Sequence, residues 1–456
     1  MSFNPNSSLD LPELPTEWQW LQLSELVDSS RGICYGIVQP GKHDPLGIPM
    51  INTGDILDGH VADVINFKVS IDLSSKFKRS TLKGGEILVT LVGANFGRVA
   101  IAPESYSGYN CSRAVGVVPV NLNKINSKYL MFALRSPWCR HLMDTWANTT
   151  AQPTFNLKDL GNLPISLPPP DVQKVIADFL SSIEHRITLL RKTNTTLEAI
   201  AQALFKSWFV DFDPVHAKQQ GRAPAGMDAQ TASLFPDSFE ESELGMVPKG
   251  WRVGKIADIC STISNGSTPS RSKAVFWENG SIPWFKTGEL SDGFLINSSE
   301  FITHEALSGS SVKIFPKFAV LMAIYAAPTV GRLGILTEEA TFNQACTGMV
   351  AKENIGPWFL FWTLFNGRDW FNSRANGAAQ QNISKAIVAA YELAIPNQPA
   401  LDAFNRVVSA LHESILLNSE KFSTLSKLRD TLLPRLISGQ LRLPEAQALV
   451  EEAVDA

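Results

Sequence analysis

The sequence predicts an α+β protein in which two α/β globules form a tandem repeat, separated by two long antiparallel coiled-coil helices, with pseudo-two-fold symmetry. The first observation is that residues 16–209 resemble residues 249–441 at an offset of 233 to 234 residues: Pro15–Trp18 corresponds to Pro248–Trp251. The second is a seven-residue apolar repeat at the end of each half. A duplicated chain of this kind suits a two-part ligand, such as duplex DNA with two half-sites.

The first part of each half has the pattern of a mixed globule. Short apolar runs, for example Glu86–Val92 and Phe318–Tyr325, are bounded by Gly, Asn, Pro and Ser, which is typical of strands and turns. Helix-like stretches lie between them. These patterns predict globules at residues 1–170 and 248–399.

Two long helices follow the globules. Apolar residues recur every seven positions after proline-rich segments, which predicts coiled-coil helices at residues 171–212 and 400–443. Helices of about 35 residues would be about 50 Å long and would hold the globules at a fixed separation. Residues 213–247 are rich in Asp and Glu and read as a linker, and residues 444–456 as an acidic tail.

Two polar residues, Asn194 and Asn418, interrupt the apolar seams. Either they face solvent near the seam, or they meet across an antiparallel pair and fix its register by hydrogen bonding. In the second case, Asn194→Leu should leave the pair stable but less specific in its alignment.

Composition restricts the function classes. The chain has 456 residues, 44 % of them hydrophobic, and a net charge of −4. It has neither a secretory leader nor an apolar run long enough to span a bilayer, so we expect a cytoplasmic protein without membrane association. The acidic balance argues against a surface that binds phosphates everywhere, unless the basic residues concentrate in loops.

Motifs for catalysis or cofactors are weak. Gly36–His43 approaches a nucleotide-binding loop, but Pro40 removes an amide and His43 replaces the Ser or Thr that binds magnesium. Asp211–Val215 only faintly resembles the catalytic loop of amino-methyltransferases. The five cysteines and seven histidines lack metal-binding spacing. We therefore expect no catalytic residue, bound metal or cofactor in this chain.

Polar loops at matching places in both halves are the candidate site. Asn, Gln, Arg and Lys contact base edges, and Ser and Thr hold phosphates, although the same residues also make turns and caps. The candidate DNA-binding residues of the first half are Tyr35, Lys42, Thr53, Asn95, Arg98, Asn110, Arg113, Gln152 and Asn156. Those of the second half are Asn265, Ser267, Thr268, Arg271, Lys273, Lys286, Thr287, Arg332, Asn343, Gln344, Gln380, Gln381 and Asn382.

With these features, the chain resembles the specificity subunit of type I restriction-modification systems over nearly its whole length. The resemblance rests on the two repeats and on four segments, which are Gly32–Pro49, Asn265–Trp284, Ala203–Pro214 and Leu432–Leu441. It implies two target-recognition domains that read the two halves of an asymmetric DNA target. The loops that follow Tyr35 and Asn265 differ in sequence, so the two halves should be unlike.

The resemblance also implies the partners. Two methyltransferase subunits would bring S-adenosylmethionine and methylate adenine at N6, and two motor-nuclease subunits would bring ATP and magnesium for cleavage. Two alternatives remain from the residues themselves. One is a fused methyltransferase, which the missing cofactor loops weaken. The other is a protein-docking scaffold that does not read DNA, which the acidic pI of about 6.0 favours.

Overall fold

A computed structural model describes residues 11–57, 59–147, 154–325, 329–375 and 382–455. The chain forms two compact units, Met1–Leu189 with Phe422–Ala456, and Leu190–Lys421. The boundary between the units falls inside both long helices. None of the described helices is long and apolar enough to cross a membrane.

The described residues of the first globule form short strands and four helices. Its strands are β1 (Gln19–Gln22), β2 (Cys34–Tyr35), β3 (Ile48–Ile51), β4 (Lys68–Val69), β5 (Ile87–Thr90), β6 (Val99–Ile101), β7 (Asn110–Cys111), β8 (Val115–Val118) and β9 (Pro164–Leu167). Its helices are α1 (Ile71–Lys76), α2 (Ser127–Leu134), α3 (Pro137–Trp146) and α4 (Leu157–Gly161). The sheets have the orders β2-β8-β5-β6, β4-β3-β7 and β1-β9. Only β3 and β7 pair in parallel among these described strands.

The following segment contains the first long helix, α5 (Pro170–Phe209), and then α6 (Asp213–Gln219), α7 (Ala229–Ser233), and a hairpin of β10 (Phe239–Ser242) and β11 (Gly245–Pro248). The helix α5 ends before Phe212, which has a left-handed backbone conformation with φ of 53°. Val215, Phe235 and Val247 are buried, and Val215 and Phe235 belong to the core of the second unit. The segment that we expected to be a linker is therefore folded.

The second globule repeats the element order of the first. Its strands are β12 (Arg252–Lys255), β13 (Cys260–Asn265), β14 (Ile282–Phe285), β15 (Gly293–Leu295), β16 (Phe301–Ile302), β17 (Val320–Ala323), β18 (Leu333–Leu336), β19 (Thr341–Phe342), β20 (Cys346–Ala351) and β21 (Glu392–Ile395). Its helices are α8 (Ile256–Ile259), α9 (His304–Gly309), α10 (Pro357–Asn366), α11 (Arg368–Ser373) and α12 (Lys385–Ala389). The sheets β13-β20-β17-β18-β15, β16-β14-β19 and β12-β21 match those of the first globule, with β15 added. This confirms the predicted tandem α+β architecture.

The second long helix, α13 (Gln398–Ile437), precedes α14 (Leu443–Asp455). Most of the segment expected to be an acidic tail is thus helical, and Ala446 is fully buried. Within the second unit, α5 and α13 run antiparallel, since Asn194 bonds to Asn418 while Phe205 lies 5.8 Å from Phe404 between ring centroids. The predicted seams are occupied mainly by buried aliphatic side chains, because a seven-residue spacing keeps one stripe on each helix facing its partner.

The two asparagines of the seams meet as the second alternative predicted. Asn194 is only 6 % exposed. Its Oδ1 accepts a hydrogen bond of 2.9 Å from Asn418, and its Nδ2 donates to the Ile415 carbonyl at 3.0 Å and to Ser419 at 2.9 Å. A buried amide with this many partners is well satisfied.

Candidate nucleic-acid interface

Three loops converge in the first globule where the parallel strands β3 and β7 end. Residues 35–42 begin at the last residue of β2, residues 52–55 follow β3, and residues 112–113 follow β7. The amide of Ser112 donates to the Ile51 carbonyl at 2.9 Å, and that of Arg113 to the Ile37 carbonyl at 2.8 Å. These backbone hydrogen bonds join the three loops into one surface, which we call loop face 1.

A glycine allows the close approach of these loops. A Cβ on Gly36 would lie 1.9 Å from the carbonyl oxygen of Cys111 and 2.6 Å from that of Ser112. Both distances are far inside van der Waals contact, so only glycine fits this position. The amide of Ile37 also donates to the Cys111 carbonyl at 2.7 Å. In Gly36–His43, the segment that resembles a nucleotide-binding loop, the amide of Ile37 is therefore already hydrogen-bonded within the protein.

The second globule repeats this construction. A Cβ on Gly266 would lie 2.2 Å from the Phe342 carbonyl oxygen. The amide of Ser267 donates to that carbonyl at 3.0 Å, and the amide of Asn343 donates to the Phe285 carbonyl at 2.9 Å. Residues 265–273, 286–289 and 343–344 thus form loop face 2. By strand pairing, Gln344 occupies the position that Arg113 has in the first globule.

Loop face 1 presents several of the predicted residues to solvent. Tyr35 is 41 % exposed, Lys42 and Arg113 are exposed, and Thr53 is half-buried. The half-buried residues Asn95 and Arg98 lie in the adjoining loop. Nδ2 of Asn95 donates to the Thr53 carbonyl at 3.2 Å. Nη1 of Arg98 donates to the Ile56 carbonyl at 3.2 Å.

Asn110 does not belong to the surface, and its prediction as a DNA contact is wrong. It is fully buried, and its Oδ1 accepts hydrogen bonds from Ser80 Oγ at 2.6 Å and from the Cys111 amide at 2.9 Å. Its Nδ2 donates to Ser74 Oγ at 3.2 Å. The parallel pairing of β7 with β3 buries this side chain, which satisfies polar groups inside the globule.

Some of the remaining candidates have local structural partners or lie outside the described residues. Asn156 is exposed but caps α4, since its Oδ1 accepts from the Asp159 amide at 2.8 Å. Asn382 is half-buried and bridges to Tyr325. Arg332 is half-buried. Three candidates, Gln152, Gln380 and Gln381, lie outside the described residues.

Loop face 2 is held by side chains as well as backbone. Thr268 donates to Gln344, and Ser267 shares a 2.7 Å hydrogen bond with Ser311. Asn265 accepts from Thr347 at 2.8 Å. Asn343, another predicted residue of loop face 2, is half-buried and accepts a hydrogen bond from the Ala345 amide at 3.2 Å. The face therefore presents donors and acceptors whose positions are fixed.

Charged residues cluster on loop face 2. Glu300 pairs with Arg271 and, at 2.6 Å, with Lys286. Hydrogen bonds from Arg271 and Lys286 lower the pKa of the Glu300 carboxyl, which stays ionised at neutral pH. Thr287 follows as the half-buried start of a 3₁₀ turn, and Lys273 is exposed. The three paired groups carry a net charge of +1, which suits an interface with DNA.

Trp277, Trp284 and Glu300 belong to this interface but were not predicted from the sequence. The guanidinium of Arg271 lies 3.7 Å from the ring centroid of Trp277 and 4.9 Å from that of Trp284. The indole of Trp277 donates to the Ser270 carbonyl at 3.1 Å. The aromatic residues just beyond the polar loop were the available signal, but their contact with Arg271 depends on the fold.

Chemically reactive groups are sparse in the described parts of the chain. No cluster of three His, Cys, Asp or Glu residues there could hold a metal ion. Burial raises the pKa of the Cys139 and Cys346 thiols to about 12, so both are protonated and unreactive at neutral pH.

Comparison with known proteins identifies the family to which the chain belongs. The family model described as the type I restriction modification DNA specificity domain matches residues 15–199 and 248–419. The chain is 26 % identical over 442 residues to the specificity subunit of the type I restriction enzyme HindI of Haemophilus influenzae, covering 86 % of this chain and 94 % of that protein. It is 27 % identical to the MjaIX specificity subunit of Methanocaldococcus jannaschii, covering 79 % and 78 %.

The fold also agrees with a solved structure. The S subunit of a type I restriction-modification system from M. genitalium matches with a TM-score of 0.55 and 15 % identity, covering 96 % of this chain and 99 % of that one. The family match covers both repeats and most of the chain. The chain therefore belongs to the type I restriction-modification DNA specificity family, and it provides DNA sequence specificity within such a system.

Proposed function

We propose that this chain is a non-catalytic subunit that reads a split, asymmetric DNA target, with loop face 1 reading one half and loop face 2 reading the other. The observation that carries the proposal is the repeated construction of the two faces. Their backbones are joined by equivalent hydrogen bonds, while the exposed equivalent positions hold Arg113 and Gln344. Arg pairs with guanine and Gln with adenine in bidentate contacts, so unlike residues on matched scaffolds favour unlike half-sites.

The surrounding residues fit the positioning of a duplex. Lys42 and Lys273 are exposed on loops of the two faces. Lysine contacts with phosphates orient a protein on DNA without reading sequence. Basic residues concentrated there offset the net charge of −4 that the whole chain carries. Binding should therefore weaken steeply as salt rises.

The partners follow from membership in the restriction-modification family. Two methyltransferase subunits would bind to the long helices, supply S-adenosylmethionine and methylate adenine at N6, and two motor-nuclease subunits would use ATP and magnesium for cleavage. The outer sides of α5 and α13 carry exposed aliphatic side chains, including Leu189 at 54 % and Leu417 at 50 % exposure, which offer contacts to protein partners. The complex would work in the cytoplasm, where the cell's DNA is.

The test is single-molecule sequencing of DNA from a methylation-free host that expresses this chain with its methyltransferase. We expect N6-methyladenine in one motif made of two unlike halves with a fixed gap. Absence of adenine methylation despite a soluble complex would contradict the proposal and favour the protein-docking scaffold.

A further inference from the structure

Arg271 is the most completely positioned cation of loop face 2. Its guanidinium stacks on Trp277 at 3.7 Å and approaches Trp284 at 4.9 Å, and Nη1 donates to Glu300. The side chain is nevertheless 53 % exposed. In the part of the chain that the structure describes, Nε and Nη2 have no hydrogen-bond partner. One edge of the guanidinium is held, and the other is free.

The two tryptophans that hold Arg271 are themselves fixed. The indole of Trp277 donates to the Ser270 carbonyl at 3.1 Å, and that of Trp284 to the Ser267 carbonyl at 3.0 Å. Their rings meet edge to face at 5.1 Å, and Trp284 is only 2 % exposed. Most of the conformational freedom of the arginine is therefore already lost before a ligand binds, which lowers the entropic cost of recognition.

The ion pair between Arg271 and Glu300 favours a DNA base over a phosphate as the ligand of the arginine. A carboxylate beside the guanidinium repels an approaching phosphate, whereas a guanine edge is neutral and offers two acceptors, O6 and N7. Glu300 is bound by Lys286 as well as by Arg271, so it stays in place when the free edge of Arg271 engages a ligand. A planar fork with two adjacent donors matches that guanine edge.

We propose that Arg271 selects a guanine in the major groove of the half-site read by the second globule, and that Glu300 is its positioning residue. This inference rests on the proposed function. It adds which residue reads a base, which base it reads, and which half of the target contains that base.

The test compares Arg271→Ala, Arg271→Lys and a matched control, Arg374→Ala, in the complex with the methyltransferase. Arg374 is also exposed and stacks on a tryptophan, with 3.8 Å to the Trp370 centroid, but it has no ion pair with a carboxylate among the described residues. Binding is measured on duplexes of the wild-type target with each base pair replaced in turn, and the methylated motif is sequenced for each variant.

Both Arg271 variants should lose roughly 5- to 150-fold of discrimination at one G·C pair, all in one half of the motif. Arg271→Lys keeps the positive charge but not the planar fork of donors. If this variant loses discrimination at the same G·C pair, the guanidinium reads the base and does not act through its charge alone. Glu300→Gln should relax the same position to a smaller extent. The control should keep the wild-type motif and affinity.

Other results would overturn the inference. An unchanged motif in both Arg271 variants, or affinity lowered evenly for all duplexes, would make Arg271 a phosphate contact or a structural residue. Loss of all binding in both variants would show that the arginine supports the fold of the globule. A wild-type complex that methylates no split motif would instead overturn the proposed function itself, which separates the two failures.

Discussion

The hydrogen-bonded pair Asn194 and Asn418 predicts how the long helices keep their register. Asn194 is 6 % exposed and makes three hydrogen bonds, to Asn418 at 2.9 Å, Ile415 at 3.0 Å and Ser419 at 2.9 Å. An apolar seam accepts shifted alignments, because one leucine can replace another one heptad away. A buried polar pair loses its hydrogen bonds when the alignment shifts. Asn194→Leu therefore removes the contact that distinguishes the native alignment.

The energetic effect of Asn194→Leu is a difference of two terms. Loss of three hydrogen bonds at about 0.5–1.5 kcal/mol each costs about 1.5–4.5 kcal/mol. A buried leucine returns about 1.5–3 kcal/mol. The free energy of unfolding should therefore fall by at most about 3 kcal/mol, which leaves a typical protein folded.

A double-mutant cycle with Asn418→Leu separates the pair from its surroundings. Urea unfolding of the full chain, followed by circular dichroism, should give a coupling of about 1 kcal/mol between positions 194 and 418. Light scattering after size-exclusion chromatography should show additional assembly states in Asn194→Leu. The control Thr196→Leu changes an exposed residue whose hydroxyl bonds only within α5, so it should shift the free energy of unfolding by under about 0.5 kcal/mol.

Two results together would refute this account of the pair. One is additivity of the two substitutions within about 0.5 kcal/mol. The other is a single species with wild-type assembly in Asn194→Leu. The asparagines would then be satisfied polar residues without a role in alignment.

Three further predictions concern the globules and their contacts with the helices. Gly36→Ala should distort loop face 1 and abolish reading of one half-site, because its Cβ would lie 1.9 Å from a carbonyl oxygen. The control Gly161→Ala lies in α4, outside loop face 1, and its Cβ would come no closer than 3.5 Å to another atom, so it should keep the motif when methylation is sequenced. Burial lowers the pKa of His412 to about 4, below the usual 6.5, so the neutral form is favoured in the fold. Stability should be greatest above pH 6.5 and fall between pH 6.5 and 4, by up to about 3 kcal/mol from this group, and His412→Leu should reduce that slope in urea unfolding. Glu184→Ala should destabilise the first unit by about 1.5–3 kcal/mol in thermal unfolding, because it removes the carboxylate that Arg135 and Arg429 share, while Arg429 keeps its ion pair with Asp430; unchanged melting would contradict this.

Features that repeat along the sequence were the most predictable. The heptads placed the long helices within six residues of their observed ends, because buried positions such as Ile183 and Ile187 recur at a spacing set by the helix itself. The same spacing placed Asn194 opposite Asn418 in an antiparallel pair as one of two alternatives, and the structure shows that they are hydrogen-bonded.

Features that depend on distant pairing were not predictable. Asn110 lies in a polar stretch, but β7 pairs with β3, which lies about 60 residues earlier, and this pairing buries the side chain. The contacts of Arg271 with Trp284 and Glu300 likewise join segments that are separate in the sequence. Local composition does not encode such contacts.

Composition also gave a wrong expectation for residues 213–247. Its acidic residues favoured a linker, yet Phe235 is 2 % exposed and packs 5.2 Å from Trp208 between ring centroids. A few apolar side chains, widely spaced, are enough to fix a segment to an existing core, and they produce no periodic signal in the sequence.

We expect the two loop faces to read different halves of one target. The most direct test is single-molecule sequencing of N6-methyladenine in hosts that express Arg113→Ala or Gln344→Ala, since these exposed residues occupy equivalent positions in the two globules. We expect each substitution to relax the motif in one half only, with Arg113→Ala and Gln344→Ala affecting different halves. Relaxation of the same half by both variants, or an unchanged motif in both, would contradict it.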